Sequence, residues 1–210
     1  VFEDRRIVDF LHRLENKFCG DWITGQMPND RIMAMNKVTA AIDEVNGQAG
    51  LSPDEKIERL FSNSVFEYDR SRFLRTLNSE SVYGRRFARY LLFKLDILYA
   101  SPDTRLQALK DMSVEHILPQ NPAVESQWCR DFSAEERETW TDRLGNLVLL
   151  GRRKNSSQGR LDFRQKREKY FKNNVETFPN SVRAIQVEHW DLITLKAHHD
   201  EVLERLRAHC

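Results

Sequence analysis

Two short apolar runs, Val114-Glu115-His116-Ile117-Leu118 and Leu147-Val148-Leu149-Leu150, constrain this chain more than any other feature. Each is too short for an ordinary helix, is built of aliphatic and β-branched residues apart from Glu115 and His116, and stops at a turn residue, Pro119 or Gly151. Both read as strands. Residues 151–159 form a polar, basic loop, and a helix starts near Asp162 and carries Phe163, Lys166, Lys169 and Tyr170. The order is therefore strand, loop, strand, basic loop, helix. Between the strands, Ser133-Ala134-Glu135-Glu136 is a capping box that opens a short helix, and Gly145 stands where a C-terminal glycine would close it.

The rest of the chain is patterned for helices. Ile7, Phe10, Leu11, Leu14 and Phe18 recur at helical spacing and are expected in the core. Ser52-Pro53-Asp54-Glu55 is a second capping box, with Pro53 at the first helical position and Ile57, Leu60 and Phe61 as the buried face. A longer helix is expected over 83–99, with Phe87, Tyr90, Leu91, Leu95 and Leu98 inward. A last one is expected over 188–210, with Trp190, Ile193, Leu203 and Leu206 inward. The fold class expected is α+β and mainly helical. Its parts are a helical N-terminal part over 1–100, the strand-bearing core over 101–175 and a helical closure over 176–210. Together they make one compact domain, read as a fragment of a longer protein because the first residue is Val1.

Composition narrows the class. Of 210 residues, 40% are apolar and 31% charged, as in a soluble globular protein. No apolar run approaches the ~20 residues of a membrane helix, so no membrane partner is expected. Cys19, Cys129 and Cys210 are odd in number and far apart, which speaks against disulfides and zinc knuckles and for a cytoplasmic location. Net charge is only +1, but from Arg143 to Lys172 ten Lys and Arg residues face only Asp162 and Glu168. Such a local excess suits a polyanion.

Hydrolysing a phosphodiester needs a group to activate water, a group to neutralise phosphate charge, and groups to hold the backbone in line. Glu115-His116 supplies a carboxylate and an imidazole side by side, and Asn155 an amide oxygen in the basic loop. A hard divalent cation, Mg²⁺ or else Mn²⁺, takes such oxygen ligands. On these residues alone a structural histidine remains the simpler reading. His12, His189, His198, His199 and His209 read as surface or structural, and Trp128, Trp140 and Trp190 as core anchors.

The blocks Ser113-Val114-Glu115-His116-Ile117-Leu118-Pro119-Gln120 and Arg143-Leu144-Gly145-Asn146-Leu147-Val148-Leu149-Leu150, then Asn155, and Phe163 with Lys166, carry a resemblance. Together they resemble the C-terminal nuclease domain of GmrSD-type restriction enzymes, of the HNH, or His-Me finger, superfamily. The phosphorothioation-dependent SspE proteins are similar. So is the HNH domain of RNA-guided CRISPR nucleases, in its acidic-His-x-x-Pro strand and in the separation of its two asparagines.

The resemblance implies a ββα-metal (HNH-like) nuclease core enclosed by helices, and a metal-dependent DNA endonuclease of anti-phage defence. It implies that His116 is the general base, Glu115 and Asn155 the metal ligands, and Asn146 a brace that orients His116 without touching the metal. Arg152, Arg153, Lys154 and Lys166 would grip phosphates. It also implies an N-terminal NTPase-like domain in the full-length protein. No P-loop-like glycine-rich stretch precedes Glu115. One such site cuts one strand, so cutting both takes a homodimer or two events. Three rivals stay open: an inactive DNA-binding module, an RNA-directed nuclease, and a helical interaction domain.

Overall fold

The structure, a computed structural model, describes residues 2–79, 81–101, 112–151, 160–172 and 178–210. Its described residues are mostly helical, with one small two-stranded antiparallel sheet, an α+β arrangement as expected. The chain divides into two compact units, Val1–Thr76 with Cys210, and Leu77–His209.

The first unit holds α1 (Phe2–Ile23), α2 (Pro28–Gly47), α3 (Pro53–Phe61) and the start of α4 (Arg70–Ser79). The capping box that opens α3 is formed. Ser52 Oγ accepts from the Glu55 amide at 3.3 Å, and the Ser52 amide donates back to Glu55 Oε2 at 2.8 Å. Ile23, Val38, Val45, Phe66 and Phe73 are buried. The expected α1 stripe is only partly covered. Phe10 packs edge-on against Phe66, but Ile7, Leu11 and Phe18 stay exposed, Ile7 by 57%. The α3 face is likewise no more than half-buried. Within this unit α1 packs against α2 and the 3₁₀ turn Ser64–Phe66 and meets α3 through Arg6 with Asp54 and Arg13 with Phe61, contacts that leave Ile7, Leu11 and Phe18 uncovered.

In the second unit, α5 (Ala88–Tyr99) precedes β1 (Met112–His116). Then come α6 (Gln127–Asp131), α7 (Ala134–Trp140), β2 (Leu147–Gly151), α8 (Phe163–Lys172), α9 (Pro179–Gln186) and α10 (Leu192–His209). α5 starts five residues later than the periodicity suggested, because Gly84, with φ +77°, turns the chain before it. β1 and β2 pair antiparallel, from Met112 opposite Gly151 to His116 opposite Leu147. Every residue of β2 is buried, with α5 and α9 packed against the strand. That double cover explains its continuous apolar run.

A core of Ile117, Leu118, Trp128, Phe132, Val148, Leu150, Phe163 and Trp190 holds sheet and helices together. Trp128 and Trp190 are anchors as expected, while Trp140 is partly buried. α10 starts only at Leu192, and Ile193, expected inward, is 78% exposed. The buried line runs through Leu195, His199, Val202 and Leu206 instead. Asp96 of α5 caps α9, its Oδ1 accepting the Asn180 amide at 2.8 Å. Burial pushes that carboxyl up to about 7.

Candidate active site at the end of the first strand

β1 ends at His116, and its end is fixed from a distance. The Ile117 amide donates to the Asn146 carbonyl at 3.0 Å. The Asn146 side chain closes on Leu118 from both sides, Oδ1 accepting its amide at 2.8 Å and Nδ2 donating to its carbonyl at 2.9 Å. Nδ2 also reaches the Thr141 carbonyl at 2.8 Å, and Asn146 is fully buried. An amide with both ends engaged ties the segment after β1 to the segment before β2.

Asn146 is itself held through Gly145, in the 3₁₀ turn Leu144–Asn146. The Gly145 amide donates to His199 Nδ1 at 3.1 Å, and His198 Nδ1 donates to the Gly145 carbonyl at 2.8 Å. Adjacent histidines of α10 thus use opposite tautomers on the amide and the carbonyl of one residue. His199 completes its ring with Nε2 toward Asn78 Oδ1 at 3.2 Å. Both are structural, and burial lowers both, His198 to about 4. Gly145 is no helix-ending glycine. A Cβ there would lie 2.5 Å from His199 Cβ and 2.6 Å from its Cα, so glycine is needed for close approach.

Glu115 and His116 have different partners. Glu115 Oε1 pairs with Lys166 Nζ of α8 at 3.1 Å. His116 Nε2 lies 2.8 Å from Asp142 Oδ1, and the Tyr83 ring tilts over the imidazole at 4.2 Å. Gln120 Nε2 donates to the same Asp142 oxygen at 3.1 Å. Lys166 links the two halves, because its Nζ also donates to the His116 carbonyl at 2.6 Å.

Lys166 does not sit where a phosphate-gripping lysine was expected. It is 1% exposed, and its ammonium is spent on oxygens inside the protein. Burial raises the Glu115 carboxyl and lowers the Lys166 ammonium, and their mutual attraction opposes both shifts. Burial also lowers the His116 imidazole, and Asp142 pulls it back up.

Glu115, His116, Asn146 and Lys166 are therefore gathered within one region. Asn155, Arg152, Arg153 and Lys154 lie outside the described residues. Among the described residues no three His, Cys, Asp or Glu side chains cluster as a metal cage, and no helix is long and apolar enough to cross a membrane. Asp142 and Tyr83 were missed from sequence. Neither lies at a spacing that links it to His116, and only the fold brings them there.

A family model, that of the GmrSD restriction endonucleases, C-terminal domain, matches residues 67–205. No curated protein and no solved structure matches the chain.

Proposed function

Because the chain belongs to the family of GmrSD restriction endonuclease C-terminal domains, we propose that it hydrolyses DNA phosphodiester bonds at the Glu115–His116 end of β1, with a divalent metal ion, as an HNH-type ββα-metal enzyme. One observation carries the reading. A half-buried carboxylate and a buried imidazole stand on consecutive residues at a strand end, and β2 and the helix that follows it, α8, flank them.

The local chemistry is compatible with a hard cation. Two oxygens, Glu115 Oε1 and the His116 carbonyl, already converge on one positive atom, Lys166 Nζ. The small number of carboxylates suits Mg²⁺, which binds through one or two of them plus water and substrate phosphate. Glu115 and Asn155 would hold it. When bound, such an ion would neutralise charge on the phosphate and the leaving oxygen. His116 would accept the proton of the attacking water, a task suited to an imidazole at neutral pH. Asn146 keeps the strand end in place and so fixes where His116 stands. Arg152, Arg153 and Lys154 would contact the DNA backbone, which positions the duplex without reading its sequence. In this reading the domain serves anti-phage restriction beside an N-terminal NTPase-like domain of the full-length protein, and cuts both strands as a homodimer or in two events.

The test is conversion of supercoiled plasmid to open-circle or linear form, with Mg²⁺ or Mn²⁺, for the wild-type chain and His116→Ala, with EDTA as control. Cutting that disappears in the variant and in EDTA is expected. Equal cutting by both proteins would remove His116 from the mechanism. DNA retardation on a gel without cutting by either would favour a binding module.

A further inference from the structure

Asp142 lies outside every motif that marks the site, yet the fold delivers its carboxylate to His116. Its backbone carbonyl accepts the amides of Val82 and Tyr83 at 2.9 and 3.1 Å. That pairing brings two groups to the imidazole together: the carboxylate at 2.8 Å from Nε2, and the Tyr83 ring across its face. Gln120 donates to the same carboxylate oxygen at 3.1 Å and steadies it. The His116 ring is thus held by one edge and one face.

A carboxylate only accepts, so the nitrogen it meets carries the proton. In the neutral ring that leaves Nδ1 with the free electron pair. We propose that Asp142 is the positioning residue that fixes His116 in the Nε2–H tautomer and leaves Nδ1 as the atom that takes the proton from water. The catalytic half of this statement rests on the nuclease reading above, while the tautomer does not. The logic is that of partners that orient a histidine through its second nitrogen. Without the anchor, the neutral ring is free to put its proton on either nitrogen, and only one form presents a base.

The experiment is a long-range ¹H–¹⁵N spectrum of the whole chain with ¹⁵N-labelled histidine, at a pH where His116 is neutral. His116→Gln assigns the signals. Wild type is expected to show protonated Nε2 and bare Nδ1 at this ring. Asp142→Ala is expected to show both tautomers, and Gln120→Ala a smaller admixture. Bare Nε2 in the wild type overturns the proposal, whatever the variants do. A single unchanged tautomer in folded Asp142→Ala overturns it as well. In the plasmid assay Asp142→Ala should lower kcat by about 10- to 100-fold with KM little changed, the loss usual for an orienting partner, and Asp142→Glu should recover part of it. A tautomer change in a chain that never cuts DNA upholds the anchor and removes the nuclease reading instead.

Discussion

Lys166 shows how far a single side chain can depart from what its type suggests. Lysine is almost never fully buried unless it is paired, and this one is paired twice, with the Glu115 carboxylate and the His116 carbonyl. Removing one member of a buried ion pair leaves an uncompensated charge and typically costs about 3–5 kcal/mol. Lys166→Met should therefore destabilise the chain strongly in urea unfolding. Adding Glu115→Gln should return part of the loss, with a coupling of about 1–3 kcal/mol. Additive single and double variants would mean that the two side chains do not depend on each other. Asn146 has the same character without charge. Its amide serves three backbone groups that would otherwise be buried and unpaired, each of which would cost about 1–3 kcal/mol.

At the scale of elements, helix ends are secured both locally and at a distance, and only the local half can be read from sequence. The boxes Ser52–Glu55 and Ser133–Glu136 close within three residues, so the sequence shows them. α9 is capped by Asp96, 84 residues away, and the turn before β2 by His198 and His199 of α10. Burial of Asp96 and His198, opposed in each case by these contacts, makes stability depend on pH in opposite directions. Asp96 is raised from 3.8 to about 7, so between those values the folded chain holds more protons than the unfolded one. Its contribution therefore falls as pH rises through that window. His198 is lowered from 6.5 to about 4, so the unfolded chain holds more protons there, and stability falls as pH drops through that window. Asp96→Asn removes the first slope and leaves the second. Its unfolding free energy relative to wild type should grow as pH rises from about 4 to about 7. Urea unfolding at half-unit pH steps checks this, and parallel curves for the two proteins would mean that Asp96 titrates normally in the fold.

At the scale of the whole molecule, the family match at 67–205 falls almost wholly on the second compact unit. The core cluster around Trp128, Phe163 and Trp190 lies there too. In the first unit, apolar residues at perfect helical spacing remain at the surface. Ile7→Lys and Leu11→Gln should each change stability by no more than about 0.5 kcal/mol, whereas Leu91→Ala should cost about 2–5 kcal/mol. A large loss at Ile7 or Leu11 would show that this face is covered in solution.

The elements near the site are legible in the sequence: two short strands, the capped helices and the helix that begins after Asp162, although the first strand, expected over 114–118, ends already at His116. Those features depend on periodicity and on caps within three or four residues, so short stretches of chain encode them. The fold alone decided who meets whom. Asp142 reaches His116 across 26 residues and Lys166 reaches Glu115 across 51. Gly145 proved to be a glycine of close approach, not of helix termination. Nothing local marks such partners, because their meeting follows from how helices pack around a two-stranded sheet. The exposure of Ile7 has the same origin: spacing defines a stripe, but only neighbouring elements can bury it.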